Sequence, residues 1–362
     1  SAKNGCDLNA ALARHWQDKR VNAAFITMPA RPERQRLPPV AVSLPIAGAF
    51  VIAATLWATP FAAFCALLGI VVVALAGLAV LRRLDTAEPG RRAALFALGP
   101  CVLFGAGLAD LNDALWMAAC LMALAAALDR RHILMLLCWG SALGIDPQAM
   151  FVAPFFLALL IDRRVPVCRW AVAPLVAAAT LAARFAAGWP IGGWACAFFV
   201  KADDVQQLSV NAPNIWTIVQ VLPLGGVPLS GLALAATIGV SGAYVARIST
   251  LRLSGHSLVA AALLASLIMA GLLPHLHPSG VFLADMLVLI LALSKRDPAS
   301  WRIALLVQAG SALGVLADLS GLGGLAILGA GALVTATLWL ARSVLKPAAN
   351  DNPLMARQPA RT

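Results

Sequence analysis

The acidic and imidazole side chains that could do chemistry in this chain sit mostly in short polar interruptions of long apolar runs. The longest interruption is residues 188–216, GWPIGGWACAFFVKADDVQQLSVNAPNIW. It holds the adjacent pair Asp203 and Asp204, then Asn211 and Asn214 in a polar turn running into Trp216. Paired carboxylates can take a proton from a hydroxyl or contact an acceptor. Charges in a loop are also commonly just solvated, and that reading stands beside the first. Asp110-Leu111-Asn112-Asp113 opens an apolar run. There an acid could face a ligand, or simply cap the free N–H groups of a helix start. His275 and His277 lie in Pro-His-Leu-His-Pro. Their i, i+2 spacing is poor for a helical metal pair, so a polar-cavity role is expected over a zinc site. Asp285 falls one turn into an apolar run, a costly depth for an acid. It reads either as functional or as a first-turn acid favoured by the helix dipole. No Walker-type phosphate loop, Gly-x-Ser-x-Gly or His-Glu-x-x-His occurs, and neither a metal nor any other cofactor is indicated.

Composition says what must position these groups. Of 362 residues, 61% are hydrophobic and 12% charged, and the mean hydropathy is +0.86. A soluble domain carries about 25% charged residues. The expected class is therefore all-α, a polytopic transmembrane bundle of about 11–12 hydrophobic segments. The runs are continuous and rich in Leu and Ala, unlike the alternation of a β-barrel. The net charge of +11 falls in short clusters between the runs. Such clustering is a topology signal and argues against nucleic acid as a partner. The seven cysteines form no Cys-x-x-Cys pair and lie mostly inside apolar runs, so no disulfide frame is implied.

Spans are predicted near 40–59, 61–81, 92–108, 113–128, 132–145, 149–161, 170–187, 228–246, 256–273, 280–294, 301–317 and 322–345. Several fall short of the roughly 20 residues that cross about 30 Å of hydrocarbon. The pair hinged at Asp146-Pro147 is the clearest case. Small residues, as in Ala123–Ala127 and from Gly321 to Gly331, would let helices approach closely. Trp57, Trp170, Trp216 and Trp301 at span ends fit an interfacial belt.

Basic residues cluster in alternate connections: Arg82, Arg83, Arg91 and Arg92; Arg130 and Arg131; Arg163 and Arg164; Arg247 and Arg252; Lys295 and Arg296; Arg342 and Lys346. The intervening connections carry only Lys201. The positive-inside rule then makes the basic connections cytoplasmic and the 188–215 loop external. With that loop go Asp110, Asp113, Asp146, His275, His277 and Asp318. Residues 1–39 would be cytoplasmic if 40–59 crosses. They would be external if it does not, and Pro38-Pro39 and Pro60 make an irregular segment reasonable there. The domain reading is an N-terminal segment 1–39, a membrane domain 40–345 and a cytoplasmic tail 346–362. The chain opens Ser-Ala-Lys, without an initiator Met or a signal peptide, which fits a fragment or a trimmed chain.

Three stretches together resemble bacterial glycosyltransferases of the GT-C superfamily, polytopic enzymes that use polyprenyl-phosphate sugars at the outer membrane face. DLNDALWMAACLMALAAALDRRHILMLLCWGSALGIDPQAMFVAPFFLALLI, 110–161, resembles G-Q-x-D-A-L, a helix, a basic turn, a helix and T-K-P-Q-A, with Asp113 on the pattern's Asp and Pro147-Gln148-Ala149 on its P-Q-A. LSVNAPNIW, 208–216, is similar to L-S-x-N-A-x-N-x-W. LPHLHPSGVFLAD, 273–285, resembles L-P-K-M-H-E-R-Y-x-F-P-A-D, with His277 on its His and Asp285 on its final Asp. A fourth, weaker likeness covers Asp7-Leu8, Trp16 and Leu37-Pro38-Pro39, similar to the family's first external loop. Two positions depart: Asp146 stands where the pattern has Lys, and Pro278-Ser279-Gly280 where it has E-R-Y.

The resemblance implies an inverting hexosyltransferase of the bacterial inner membrane, with mannose the expected sugar. Its partners would be a polyprenyl-phosphate sugar donor, a lipid or glycan acceptor and membrane lipid. Asp7 would be the catalytic base, which puts residues 1–39 outside and implies that a first helix is missing. His277 would contact the donor phosphate, with His275 beside it. Asp113 and Asp285 would shape the cavity. Asp203, Asp204, Asn211 and Asn214 would bind donor or acceptor from the loop above. Two other readings stay open: an ion-coupled transporter or flippase, and a catalytically silent protein of the same fold.

Overall fold

A computed structural model of the chain describes residues 60–84, 86, 88–103, 111–189, 209, 212–222, 229–274, 276 and 278–345. The predicted span 40–59, the segment 1–39 and the tail 346–362 lie outside them.

Helix α1, Pro60–Arg83, starts with proline at its first turn and ends on Arg82 and Arg83, which suit the negative end of the helix dipole. A short amphipathic helix, α2 (Pro89–Ala97), follows and buries Arg92, Ala93 and Phe96. The span expected over 92–108 is not one continuous helix. Helix α2 ends at Ala97, and Gly99 caps a new helical turn, Pro100–Val102. Pro100 has no N–H to continue the α2 ladder, so the chain must break before it.

Helices α3 (Leu111–Leu128) and α4 (His132–Ile145) form an antiparallel pair around the basic turn. A 3₁₀ stretch, Pro147–Val152, leads into α5, Ala153–Asp162. The hinge expected at Asp146-Pro147 is present, and α4 is only 14 residues long, about 21 Å. Then come α6 (Val172–Ala186), the short α7 (Ile215–Val219), α8 (Leu229–Ile248) and α9 (His256–Leu272). Last are α10 (Phe282–Lys295), α11 (Pro298–Ser320) and α12 (Gly323–Val344). No strand occurs among the described residues.

Helix α10 is the centre of the bundle. Every residue from Phe282 to Leu293 is buried. A helix apolar all round is stable only when covered on all sides, and α10 packs on α1, α2, α9 and α11. The periphery is the reverse. Phe64, Leu67, Val71 and Leu75 on α1, and Leu232, Leu234 and Ile238 on α8, are exposed. Six stretches among the described residues are long and apolar enough to cross a membrane: 64–83, 111–128, 167–186, 229–248, 298–320 and 323–344. Only 6% of the 167–186 stretch is covered by the rest of the molecule. A water-facing surface of that kind would aggregate, whereas lipid solvates it. The chain is an all-α, multi-pass membrane bundle.

Small residues set the closest approaches. A Cβ on Gly310 would come within 2.9 Å of the Gly329 carbonyl oxygen, and one on Gly314 within 2.5 Å of Pro213. Of the Gly321–Gly331 run expected to mediate packing, Gly329 does so. Gly321 instead ends α11 in the left-handed region, at φ 69°. Gly323, Gly324 and Gly331 face open space.

Three arginine contacts lace the basic end together. Arg83 Nε donates to Asp129 at 2.7 Å, Arg163 Nη2 to the Leu253 carbonyl at 3.3 Å and Arg247 Nη2 to the Leu345 carbonyl at 3.0 Å.

Candidate functional site

The polar groups of the opposite end assemble from two irregular segments and one turn. The first segment is the hinge. Asp146 is extended, at φ −143° and ψ 133°, and its side chain accepts the Gln148 N–H at 2.7 Å. This local bond starts the 3₁₀ turn that proline permits next. The second segment is the 3₁₀ turn Pro278–Val281 ahead of α10. Gln148 Nε2 approaches Ser279 Oγ at 3.5 Å across the two. A Cβ on Gly280 would sit 2.9 Å from Phe151, so glycine there allows the segments to close. Trp139 Nε1 donates to the Ala149 carbonyl at 3.0 Å and holds the hinge against α4. Irregular backbone near membrane depth is tolerated where protein or a cavity meets its polar groups, and these bonds meet them.

The turn is built around Asn214. Its carbonyl oxygen accepts the Thr217 N–H at 3.1 Å, capping α7, and its amide donates to the Leu273 carbonyl at 3.3 Å. Trp216 Nε1 and the Thr237 hydroxyl both donate to the Leu272 carbonyl, at 2.5 and 2.7 Å. The final carbonyls of α9, which a helix cannot satisfy itself, are thereby closed from outside. Asn214 is 1% exposed and works as a clamp. Trp216 is 6% exposed and also bonds inward, so it does not join an interfacial belt.

Asp113 lies in the first turn of α3, where its carboxylate accepts the buried Trp116 indole N–H at 3.2 Å. Asp285 lies in the first turn of α10 and is 1% exposed. Its Oδ1 is buried and has no partner. Gln308 Nε2 donates to the Asp285 backbone carbonyl at 3.1 Å. Asp7, Asp203, Asp204, Asn211, His275 and His277 lie outside the described residues.

One residue escaped the sequence reading. Arg184 ends α6, and its Nη1 donates to the carbonyl oxygens of Gly144, at 3.2 Å, and Ile145. Its guanidinium also lies 5.4 Å from the Trp189 ring centroid, a cation–π distance. The signal was present as Gly140-x-x-x-Gly144. A Cβ on Gly140 would come within 2.5 Å of the Ala173 carbonyl, and one on Gly144 within 2.6 Å of that of Ala177. These glycines let α4 lie directly on α6, which carries Arg184 to the hinge. Burial pushes the Asp146 carboxyl above the usual aspartate range. The Gln148 N–H and the Arg184 charge pull it back only in part. The assembled end thus offers carboxylates, an amide, a hydroxyl and one guanidinium held close to Asp146. Among the described residues, no group of three or more His, Cys, Asp or Glu side chains could hold a metal ion.

No protein-family model matches the chain, and no curated protein matches it.

Proposed function

We propose that the chain is a membrane glycosyltransferase. It moves a hexose, mannose by resemblance, from a polyprenyl-phosphate sugar to a lipid or glycan acceptor at the outer face of the bacterial inner membrane. The observation that carries this reading is the Gln148–Ser279 junction. It joins two irregular segments, each bearing a family-like motif, beside Arg184 at the end that lacks basic clusters. By the positive-inside rule that end is external.

The chemistry asks for little. The acceptor hydroxyl attacks the anomeric carbon, the bond to the donor phosphate oxygen breaks, and the polyprenyl phosphate leaves with the bonding pair. A carboxylate must take the hydroxyl proton as attack begins; Asp7 is assigned that role by resemblance. The leaving phosphate needs positive charge or oriented donors. His277 is one such group, and Arg184 supplies the fixed cation missing where Asp146 replaces the family's lysine. The resemblance assigns Asp113 and Asp285 to shaping a donor cavity. It assigns His275, Asp203, Asp204 and Asn211 to donor or acceptor binding, while Asn214, its amide already engaged, holds the turn in place.

The test is transfer from radiolabelled polyprenyl-phosphate mannose in membranes carrying the protein. Asp7→Asn should lower the rate by about 100-fold or more, and Arg184→Gln by a comparable factor. Full transfer by Asp7→Asn removes the base assignment. No transfer by a correctly folded wild type favours the silent reading.

A second reading draws on Asp285, a buried acid with a free oxygen, and on the short helix pair flanking Asp146. Both fit an ion-coupled carrier or flippase. Proton-driven substrate uptake into vesicles, lost in Asp285→Asn, would establish it.

A further inference from the structure

The basic end holds polar atoms that its own contacts do not satisfy. Arg92 on α2 is 6% exposed, its Nε has no partner, and it joins no ion pair among the described residues. A largely buried guanidinium whose Nε has no acceptor is costly, and an anion beside it would offset that cost. His256 opens α9 without a side-chain cap, and its buried Nε2 also lacks a partner. Lys295 and Arg296 end α10 and are exposed. These groups share one field. Lys295 and Arg92 act on His256, and Arg296 acts on Arg92. Two carboxylates oppose them. Glu88 is paired with Arg91 at 3.3 Å on the exposed side of α2 and also acts on Arg92, and Asp297, whose buried Oδ1 has no partner, acts on His256. Burial first, and then Arg296, disfavours the charge on Arg92. The cluster therefore carries more positive charge than its own acids neutralise.

We propose that this cluster is a phosphate-anion site, with Arg92 as its floor, His256 at the positive end of α9 as its wall, and Lys295 and Arg296 as its rim. A guanidinium fork beside a helix N-terminus suits a tetrahedral oxyanion. Basic pockets between helices at the headgroup level take the phosphate of anionic lipids. A soluble phosphate would use the same atoms. This site is independent of the transferase reading, which concerns the other end of the bundle.

The test uses the full chain in nanodiscs of phosphatidylcholine, of phosphatidylcholine with phosphatidylglycerol, and of phosphatidylcholine with added inorganic phosphate. Thermal unfolding is the readout. Phosphatidylglycerol should raise the midpoint by at least about 2 °C, and raised salt should shrink the gain. Arg92→Gln should abolish the gain and Arg92→Lys should restore part of it. The exposed double variant Lys295→Gln/Arg296→Gln, which should fold normally, should halve it, while Arg91→Gln leaves it unchanged. Protection by phosphatidylglycerol alone assigns a lipid headgroup; equal protection by inorganic phosphate assigns a soluble anion. The site is overturned if neither stabilises the wild type, or if the gain survives both Arg92→Gln and the double variant. Strong coupling of Arg92→Gln with Asp297→Asn in the absence of any anion would also overturn it, because Asp297 would then be the counter-ion.

Discussion

Asp146 is held by three opposed influences. Burial raises its carboxyl above the ordinary value of 3.8, while the Gln148 N–H and Arg184 lower it, and burial wins. An acid whose folded value is raised stabilises the fold most when protonated. That contribution is complete below the unfolded value and is lost as pH rises through the folded one. Asp146→Asn keeps the side-chain oxygen that accepts the Gln148 N–H and removes the charge. Thermal midpoints measured in detergent from about pH 4 to pH 7 should fall more steeply in the wild type than in the variant. The variant should be the more stable at the upper end, by up to about 1 kcal/mol. Parallel slopes would show that Arg184 compensates the charge fully. The same reasoning separates Asp146 from Asn214, whose amide is satisfied on both sides and whose removal would strand the Leu273 carbonyl.

Helix ends show a rule of their own. Helices α3, α5 and α6 all close with the same paired hydrogen bonds. After α3, Arg131 N–H reaches the Ala126 carbonyl and Arg130 N–H that of Ala127; after α5, Val165 reaches Leu160 and Arg164 reaches Ile161. After α6, Trp189 reaches Arg184 and Gly188 reaches Phe185. The motif needs one residue at positive φ. At the far end it is Gly188, φ 78°; at the basic end it is Arg130, φ 59°, and Arg164, φ 50°. A left-handed non-glycine residue costs about 1 kcal/mol, so arginine is retained there against conformational preference, and its charge is the physical gain. Arg164→Gly should therefore raise thermal stability in detergent by about 1 kcal/mol, whereas Arg164→Ala, which keeps the Cβ, should not. An equal gain from both would place the strain in the charge and not in the backbone. These ends also mark what the sequence could disclose. Apolar runs and basic turns are local, so the α3–α4 pair, the Asp146 hinge and the long final helices were legible. Residues 92–108 were not, because the apolar average hid Gly99-Pro100 and an amphipathic turn holding Arg92. The Arg184 contact was illegible for another reason. It depends on Gly140 and Gly144 seating α4 against α6, a relation between two segments that neither states alone.

At the scale of the molecule, every functional assignment depends on which way the bundle sits in the bilayer. The basic clusters on Arg83, Arg130, Arg164, Arg247 and Arg296 share one end, and they argue that this end is cytoplasmic. Cys168 is exposed in the connection between α5 and α6, among Arg163, Arg164 and Arg169, and so reports on that end directly. Cys6 adjoins Asp7, the proposed base, and reports on the N-terminal segment. In two single-cysteine variants, an impermeant maleimide applied to intact cells should modify Cys6 and leave Cys168 untouched until the cells are permeabilised. Labelling of Cys168 in intact cells would invert the bundle. The Gln148–Ser279 junction would then face the cytoplasm, and a donor presented at the outer face could not reach it. Protection of both cysteines would keep the orientation but strand Asp7 on the wrong side, because a carboxylate separated from the acceptor by the bilayer cannot take its proton. Asp203 and Asp204 would then be the leading external acids for that role, and the pair could be tested by the same transfer assay in Asp203→Asn and Asp204→Asn.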